Sequence, residues 1–292
     1  MPSYWRIYSN LAAAQRIICS IIEERRVAAA ADPNYEKHND FLQWMMDNAT
    51  PEESHPLDLA HRQLLVSLAS IHTTSMQTSH FVYDLCAHPE YYKPLREEII
   101  GVLRQDGGFQ KTTLNKLRKM DSFLKESQRK SPPLVLSFQR VVQRALRLKD
   151  GTYLARGTQL AMASDAIAHN PSCLPGGGDP EDFDPFRYAR LREDPSKPGN
   201  INRYQFATTD STNLHFGHGI YVCPGRFFAS NEIKLILCHM LLAYDFRFPQ
   251  GQAHPANLSY EEAQYPDPTA TVLMRQRMLS PAEADVSACL GL

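Results

Sequence analysis

One cysteine has the surroundings that a metal-binding thiol needs. Cys223 lies in the stretch HFGHGIYVCPGRFFA, residues 215–229, with Gly217 and Gly219 before it and Pro224 after it. Glycine lets the backbone turn tightly and approach a bound group closely, and proline suits the first turn of a helix. The pattern predicts a tight loop that ends at a helix N-terminus, where a thiolate is favoured. A buried, structural cysteine is the simpler interpretation of a lone thiol, but these neighbours favour metal ligation.

A run of polar residues interrupts a long helical pattern over residues 57–87. The run His72-Thr73-Thr-Ser places weak helix formers in a row, and a helix of this length does not need them for stability. The structural interpretation of the threonine pair is a hydroxyl bonded to the carbonyl one turn earlier, with a slight bend.

Three charged residues are further candidates. Glu126 and Arg129 are three residues apart in KESQR, so they share one helix face and can pair. A surface ion pair of little energetic value is the alternative. Arg140 follows in the strand-like segment SPPLVLSFQR, where an arginine in water at a sheet edge is an equally simple interpretation.

The elements that must position these residues are mostly helical. Periodic apolar residues and proline stops predict helices over 4–30, 39–48, 57–87, 89–105, 112–130 and from Cys223 to about Tyr244. The alternation of apolar and polar residues between Leu134 and Leu160 predicts short strands. The segments YDFRF and ATVLMRQR predict a final strand pair. Residues 169–215 are rich in Pro, Gly, Asp and Asn and predict an extended surface meander.

Composition limits the classes of function. The chain has 292 residues, of which 43% are hydrophobic, enough for a sizeable core. Its net charge of −1 gives no field that would attract nucleic acid. The spacing of its six cysteines suggests neither a zinc site nor a disulfide framework. We find no signal peptide, and the apolar run IICSII is too short to span a membrane.

The cysteine loop resembles the haem-binding loop of the cytochrome P450 family, whose pattern is Phe-Gly-x-Gly-x-Arg-x-Cys-x-Gly. The matching residues are Phe216, Gly217, Gly219, Cys223 and Gly225. The resemblance implies that Cys223 is the axial ligand of the haem iron and that Phe216 packs near it. Tyr221 stands where the family has an arginine, or histidine in some relatives, that helps to neutralise a haem propionate.

Three more stretches resemble the family, in the family's order. Glu126 and Arg129 match a pair that meets an arginine of the meander, here Arg187 of FDPFRY, and the cluster locks the cysteine loop. Arg140 matches a basic residue that reaches a haem propionate.

The third stretch is ASIHTT, residues 69–74, which is similar to the family's oxygen-activation motif, Ala-Gly-x-Asp/Glu-Thr-Thr. The resemblance implies that Thr73 handles protons for bound dioxygen. His72 replaces the acid and could relay protons, and Ser70 replaces the glycine. A similar His-Thr-Thr occurs in fungal members that modify terpenoids and other secondary metabolites.

The resemblance implies a fold that is mainly α with small β-sheets, cytochrome P450-like and N-terminally truncated. Residues 1–292 are expected to form a single incomplete haem domain, the C-terminal part, from the end of the lid region onward. Eukaryotic full-length members lie on the cytoplasmic face of the endoplasmic reticulum membrane through an anchor, and no anchor is visible in this sequence.

The implied function is a haem-thiolate monooxygenase that inserts one oxygen atom from O2 into a lipophilic small molecule, such as a terpenoid in secondary metabolism. The implied cofactor is haem b, with electrons from NADPH through NADPH-cytochrome P450 reductase. Two alternatives stay open. One is a catalytically inactive haem-protein remnant. The other is a relative that rearranges peroxides without dioxygen or reductase, which Thr73 disfavours because such enzymes do not need that threonine.

Overall fold

The longest helices occupy stretches that contain no internal proline or glycine, the two residues that most disfavour helix interiors. The computed structural model describes residues 2–279 and residue 283. The helices are α1 (Pro2–Ala31), α2 (Phe41–Asn48), α3 (Pro56–Ala87), α4 (Tyr92–Asp106), α5 (Thr113–Lys116), α6 (Arg118–Lys130), α7 (Ser164–Ala168), α8 (Arg187–Glu193) and α9 (Arg226–Ala243). None of the helices in the described part of the chain combines the length and hydropathy needed to cross a bilayer.

The chain divides into two compact units, Met1–His72 and Thr73–Leu292, with the boundary inside α3. The first unit has a small core of its own in which Ile22, Leu42, Met45 and Leu59 are buried together. At the start of α2, the Asp40 carboxylate accepts a hydrogen bond from the Gln43 amide at 2.8 Å and so caps the helix.

The second unit is built around the C-terminal half of α3 together with α4, α6 and α9. Its core contains Phe81, Leu85, Leu95, Ile99, Met120, Phe123, Leu124, Ile233, Leu237 and Leu241. The rings of Phe81 and Phe123 lie 4.6 Å apart between centroids and join α3 to α6. On α9 the buried residues Ile233, Leu237 and Leu241 recur every four positions, so one face of that helix enters the core.

The predicted single helix over 112–130 is wrong, because the chain breaks into α5 and α6 at Leu117. Glu98 of α4 explains the break. Its carboxylate accepts hydrogen bonds from the amides of Lys119 and Met120, at 2.7 and 3.0 Å, and thereby satisfies N–H groups in the first turn of α6. Burial raises the pKa of Glu98 to about 6 even though both amides favour its charged form.

The strands form two-stranded antiparallel sheets. The pairs are β1 (Ser137–Val141) with β4 (Gln159–Met162), β2 (Leu146–Arg147) with β3 (Tyr153–Leu154), β5 (Tyr244–Arg247) with β8 (Leu273–Gln276), and β6 (Leu258–Tyr260) with β7 (Ala263–Tyr265). The predicted strands between Leu134 and Leu160 and the predicted final pair are confirmed, whereas the hairpin of β6 and β7 was not predicted. A mainly helical fold with small sheets is also confirmed.

The meander predicted over residues 169–215 is less extended than expected, since it contains α8 and a short 3-10 helix at Pro198–Asn202. The Ser122 hydroxyl of α6 accepts hydrogen bonds from the first amides of α8, those of Tyr188 and Ala189, each at 3.0 Å. A side chain distant in sequence therefore satisfies the helix terminus, and no pattern within the meander could indicate this.

Candidate active site

The loop that carries Cys223 is closed by its own backbone. The Cys223 amide donates to the Phe216 carbonyl at 2.7 Å. Gly217 and Gly219 have φ angles of +74° and +69°, in the left-handed region that favours glycine. A Cβ atom on Gly217 would also lie 3.0 Å from the carbonyl oxygen of Tyr221. Position 217 therefore needs glycine for both its conformation and its space, and position 219 for its conformation.

The sulfur of Cys223 lies at the beginning of α9. Gly225 is the residue before the helix, and a Cβ on it would be in ordinary contact with the sulfur at 4.0 Å. Pro224 was expected in the first turn, but it lies outside the helix in the turn that precedes Gly225. Cys223 is half-buried, whereas Cys238 is fully buried, which raises the pKa of that thiol to about 12. Cys238 thus fits the structural interpretation of a cysteine, while Cys223 is accessible beside a helix N-terminus.

Phe216 anchors the loop in the core. Its ring packs edge-on against Phe206, with 5.2 Å between centroids. The Phe206 amide in turn donates to buried Asp121 at 2.9 Å. Asp121 also pairs with Arg192 at 3.1 Å and with Lys234. Sequence reasoning missed this Asp121 cluster, because its members are far apart in the chain and no short spacing signals them.

The predicted cluster of Glu126, Arg129 and Arg187 is brought together and buried. Arg129 donates two hydrogen bonds to the Glu126 carboxylate, at 3.0 and 2.8 Å, and the Arg187 Nε lies 3.8 Å from the same carboxylate. The Asp184 amide adds a third hydrogen bond to Glu126 at 3.0 Å, and Arg187 donates to the carbonyl of Gly177. The cluster therefore fastens the meander before the cysteine loop to α6.

Arg140 lies against the residue that replaces the family's arginine. Its guanidinium carbon is 4.1 Å from the ring centroid of Tyr221 and 4.4 Å from that of Phe138. Its Nη1 donates to the Gln139 carbonyl at 2.7 Å. Within residues 2–279, no carboxylate lies within ion-pair distance of Arg140. The structure thus joins two predicted cofactor-binding residues, Arg140 and Tyr221, while Phe138 was not predicted.

His72 and Thr73 form a second group, apart from the loop in sequence. They are consecutive and exposed on α3. The hydroxyl-to-carbonyl bonding expected of helical threonines is seen on this helix, where Thr78 donates to the Thr74 carbonyl at 2.8 Å, and Ser79 donates likewise to the Ser75 carbonyl at 2.9 Å.

The Cys223 region has the chemistry that a haem requires. A thiolate is a suitable ligand for haem iron. Apolar residues that flank Cys223 in sequence are exposed and suit contact with an apolar macrocycle. They are Ile220, which is 91% exposed, Phe227 and Phe228. Arg140, which forms no ion pair with any described residue, supplies a cation for a carboxylate. Over the described residues, no group of three or more His, Cys, Asp or Glu is placed to hold a metal ion. Cys223 would supply one thiolate ligand to the iron of a haem.

Comparisons with known proteins identify the family. Residues 1–273 match the model of the family described as Cytochrome P450. Cytochrome P450 monooxygenase AN1598 of Emericella nidulans is 54% identical over 288 residues, which cover 98% of this chain and 53% of that protein. Cytochrome P450 monooxygenase olcJ of Penicillium canescens is 50% identical over 278 residues, 95% of this chain and 51% of that protein.

A third relative is the ent-kaurene oxidase of Gibberella intermedia, 43% identical over 279 residues, which cover 96% of this chain and 51% of that protein. The chain spans about half the length of the curated relatives it matches. The match of the family description to most of the chain, together with the cysteine loop, places this protein in the cytochrome P450 family.

Proposed function

We propose that this chain is the haem-binding part of a monooxygenase that inserts one atom of dioxygen into a lipophilic small molecule. Membership of the cytochrome P450 family implies a haem cofactor, here haem b. The observation that carries the proposal is the placement of Cys223, half-buried at the start of α9 in a loop closed on Phe216. We also propose that residues 1–292 belong to one haem domain.

Cys223 is the proposed axial ligand. When bound, a haem with a thiolate ligand supplies an iron centre whose electron density favours cleavage of the O–O bond. The loop holds the sulfur in place, since Gly217 allows the turn and the Cys223 amide is fixed on the Phe216 carbonyl. Gly219 allows a second left-handed turn before the sulfur, and Gly225 lies beside the sulfur, where a Cβ would be 4.0 Å from it.

The cluster of Glu126, Arg129 and Arg187 is proposed to keep the loop rigid. It joins α6 to the meander that leads into the loop, its charges are buried, and Arg129 is hydrogen-bonded to Glu126 while Arg187 lies within ion-pair distance of the same carboxylate. A fixed meander keeps the cysteine from moving away from its ligand position, which is a positioning role.

Thr73 and His72 are the proposed proton-handling residues. Both side chains are exposed on α3, so they are accessible to water. The hydroxyl of Thr73 can donate and accept a hydrogen bond at one oxygen, and the imidazole of His72 can do so at its two nitrogens. We propose that this pair takes up a proton from water and passes it on during the reaction.

The proposed substrate is terpenoid-like, because the relatives include an ent-kaurene oxidase. Electrons are proposed to come from NADPH through NADPH-cytochrome P450 reductase. The proposed location is the cytoplasmic face of the endoplasmic reticulum membrane, as in other eukaryotic members of the family.

Turnover with isotope-labelled dioxygen tests the proposal. The chain is expressed with a haem supply and mixed with reductase, NADPH and a panel of terpenoid hydrocarbons. The masses of the products are then measured by mass spectrometry. One labelled oxygen per product, dependent on NADPH, is expected. Cys223→Ala should lose the product, and Cys173→Ala, at another half-buried thiol, should keep it.

Two outcomes would contradict the proposal. Product formed from a hydroperoxide without NADPH would assign the chain to peroxide rearrangement. A purified chain without haem and without product would identify an inactive remnant.

A further inference from the structure

We propose that Phe138 and Tyr221 form an aromatic clamp that holds Arg140 ready for a carboxylate of haem. Tyr221 then positions a cation instead of supplying one. The inference rests on the proposed function, because it takes haem as the ligand, and it explains how a chain with tyrosine in place of the family's arginine retains a carboxylate site.

The clamp is visible in the distances. The guanidinium carbon of Arg140 lies over both rings, 4.1 Å from the Tyr221 ring centroid and 4.4 Å from the Phe138 centroid. Both distances are well inside the range of about 6 Å over which a cation is attracted to an aromatic face. Arginine stacks in this way because its charged group is planar and weakly hydrated.

The backbone adopts an unfavourable conformation to build the clamp. Phe138 has a φ of +54°, which is rare for a bulky residue and carries a cost. The strand pairing of β1 with β4 is irregular between Ser137 and Arg140. Such an irregularity re-aims side chains, as β-bulges do beside active sites, and here the ring of Phe138 faces Arg140.

The clamped cation differs from the buried arginines of the described chain. Arg129, Arg187 and Arg192 each lie within ion-pair distance of a carboxylate. Arg140 has rings on its faces and one carbonyl contact, to Gln139 at 2.7 Å, and within residues 2–279 it has no carboxylate. A fork of donors held in this way suits a ligand carboxylate, which accepts two parallel hydrogen bonds from a guanidinium.

The ring of Tyr221, not its hydroxyl, performs the holding. The side chain is 66% exposed, so its removal leaves the core intact. Tyr221→Phe keeps the ring and is the conservative control. Tyr221→Leu removes it, Phe138→Leu removes the other half of the clamp, and Arg140→Gln removes the charge.

The test titrates the whole chain with haemin and with haemin dimethyl ester, in which both carboxylates are blocked. Tyr221→Leu should weaken haemin binding about tenfold, which corresponds to about 1.4 kcal/mol and lies within the range of a cation–π contact. Phe138→Leu should also weaken haemin binding, and Arg140→Gln should weaken it at least as much as Tyr221→Leu. Tyr221→Phe should bind haemin with the affinity of the wild type. The ester should bind equally to all of them.

Equal haemin affinity of Tyr221→Leu and wild type would overturn the clamp, as would an equal loss of affinity for the ester. The absence of any haemin binding would overturn it together with the proposed function. If haemin binds with the expected ratios but the reduced carbon monoxide complex lacks a thiolate spectrum, the clamp stands and the proposed function fails.

Discussion

Replacement of Glu126 by glutamine should destabilise this protein strongly. Glu126 is fully buried and accepts hydrogen bonds from Arg129 at 3.0 and 2.8 Å and from the Asp184 amide at 3.0 Å, with Arg187 3.8 Å away. Glutamine fills the same volume but removes the charge, which leaves two buried guanidinium groups without a counter-charge. Loss of one partner from a buried ion pair costs about 3–5 kcal/mol, a large part of a typical stability of about 5–15 kcal/mol.

The matched control is Glu181→Gln. Glu181 pairs with Lys130 at 3.1 Å next to the same cluster, but its side chain is 76% exposed, so the loss should be far smaller than for Glu126→Gln. Urea unfolding followed by circular dichroism would measure both free energies of unfolding. A loss for Glu126→Gln that equals the loss for Glu181→Gln would refute the view that the cluster is a buried network that holds the meander.

Three further outcomes are expected. Gly217→Ala should lower the free energy of unfolding by about 1–3 kcal/mol, because its φ is +74° and the new Cβ would meet a carbonyl oxygen at 3.0 Å. As a control, Gly101→Ala, in open space inside α4, should raise the free energy of unfolding or leave it unchanged. Burial lowers the pKa of His80 from 6.5 to about 4, so the unfolded chain protonates first and stability should fall as pH drops from 6.5 towards 4. His80→Leu should flatten that fall in urea titrations at several pH values. It should cost little near neutral pH, because neither ring nitrogen has a hydrogen-bond partner among the described residues. An unchanged slope would exclude His80 as its source. Thr73→Ala should reduce the amount of product formed per NADPH consumed, while the haem content stays constant. Ser75→Ala, at an exposed residue of the same helix, should leave both quantities unchanged.

Local spacing predicted part of the site. Glu126 and Arg129 pair because residues three apart share a helix face, and the glycines around Cys223 adopt the left-handed turns that their type allows. These features depend on neighbours in the chain, which a single sequence displays.

Contacts between distant segments could not be predicted. The break at Leu117 depends on Glu98 of another helix, and the meander folds partly into α8 because Ser122 satisfies its first amides. The position of Phe138 is a clearer case, since a bulky residue at positive φ contradicts its own preference and only the pairing of β1 with β4 produces it. Tertiary packing decides such features, and local propensity carries no signal for them.

The most direct measurement is the difference spectrum of the reduced chain with carbon monoxide, after expression with a haem supply. The account predicts a red-shifted Soret band typical of thiolate ligation in the wild type and in Cys173→Ala, and its loss in Cys223→Ala. A band typical of a neutral ligand in the wild type, or a thiolate band that persists in Cys223→Ala, would contradict Cys223 as the axial ligand.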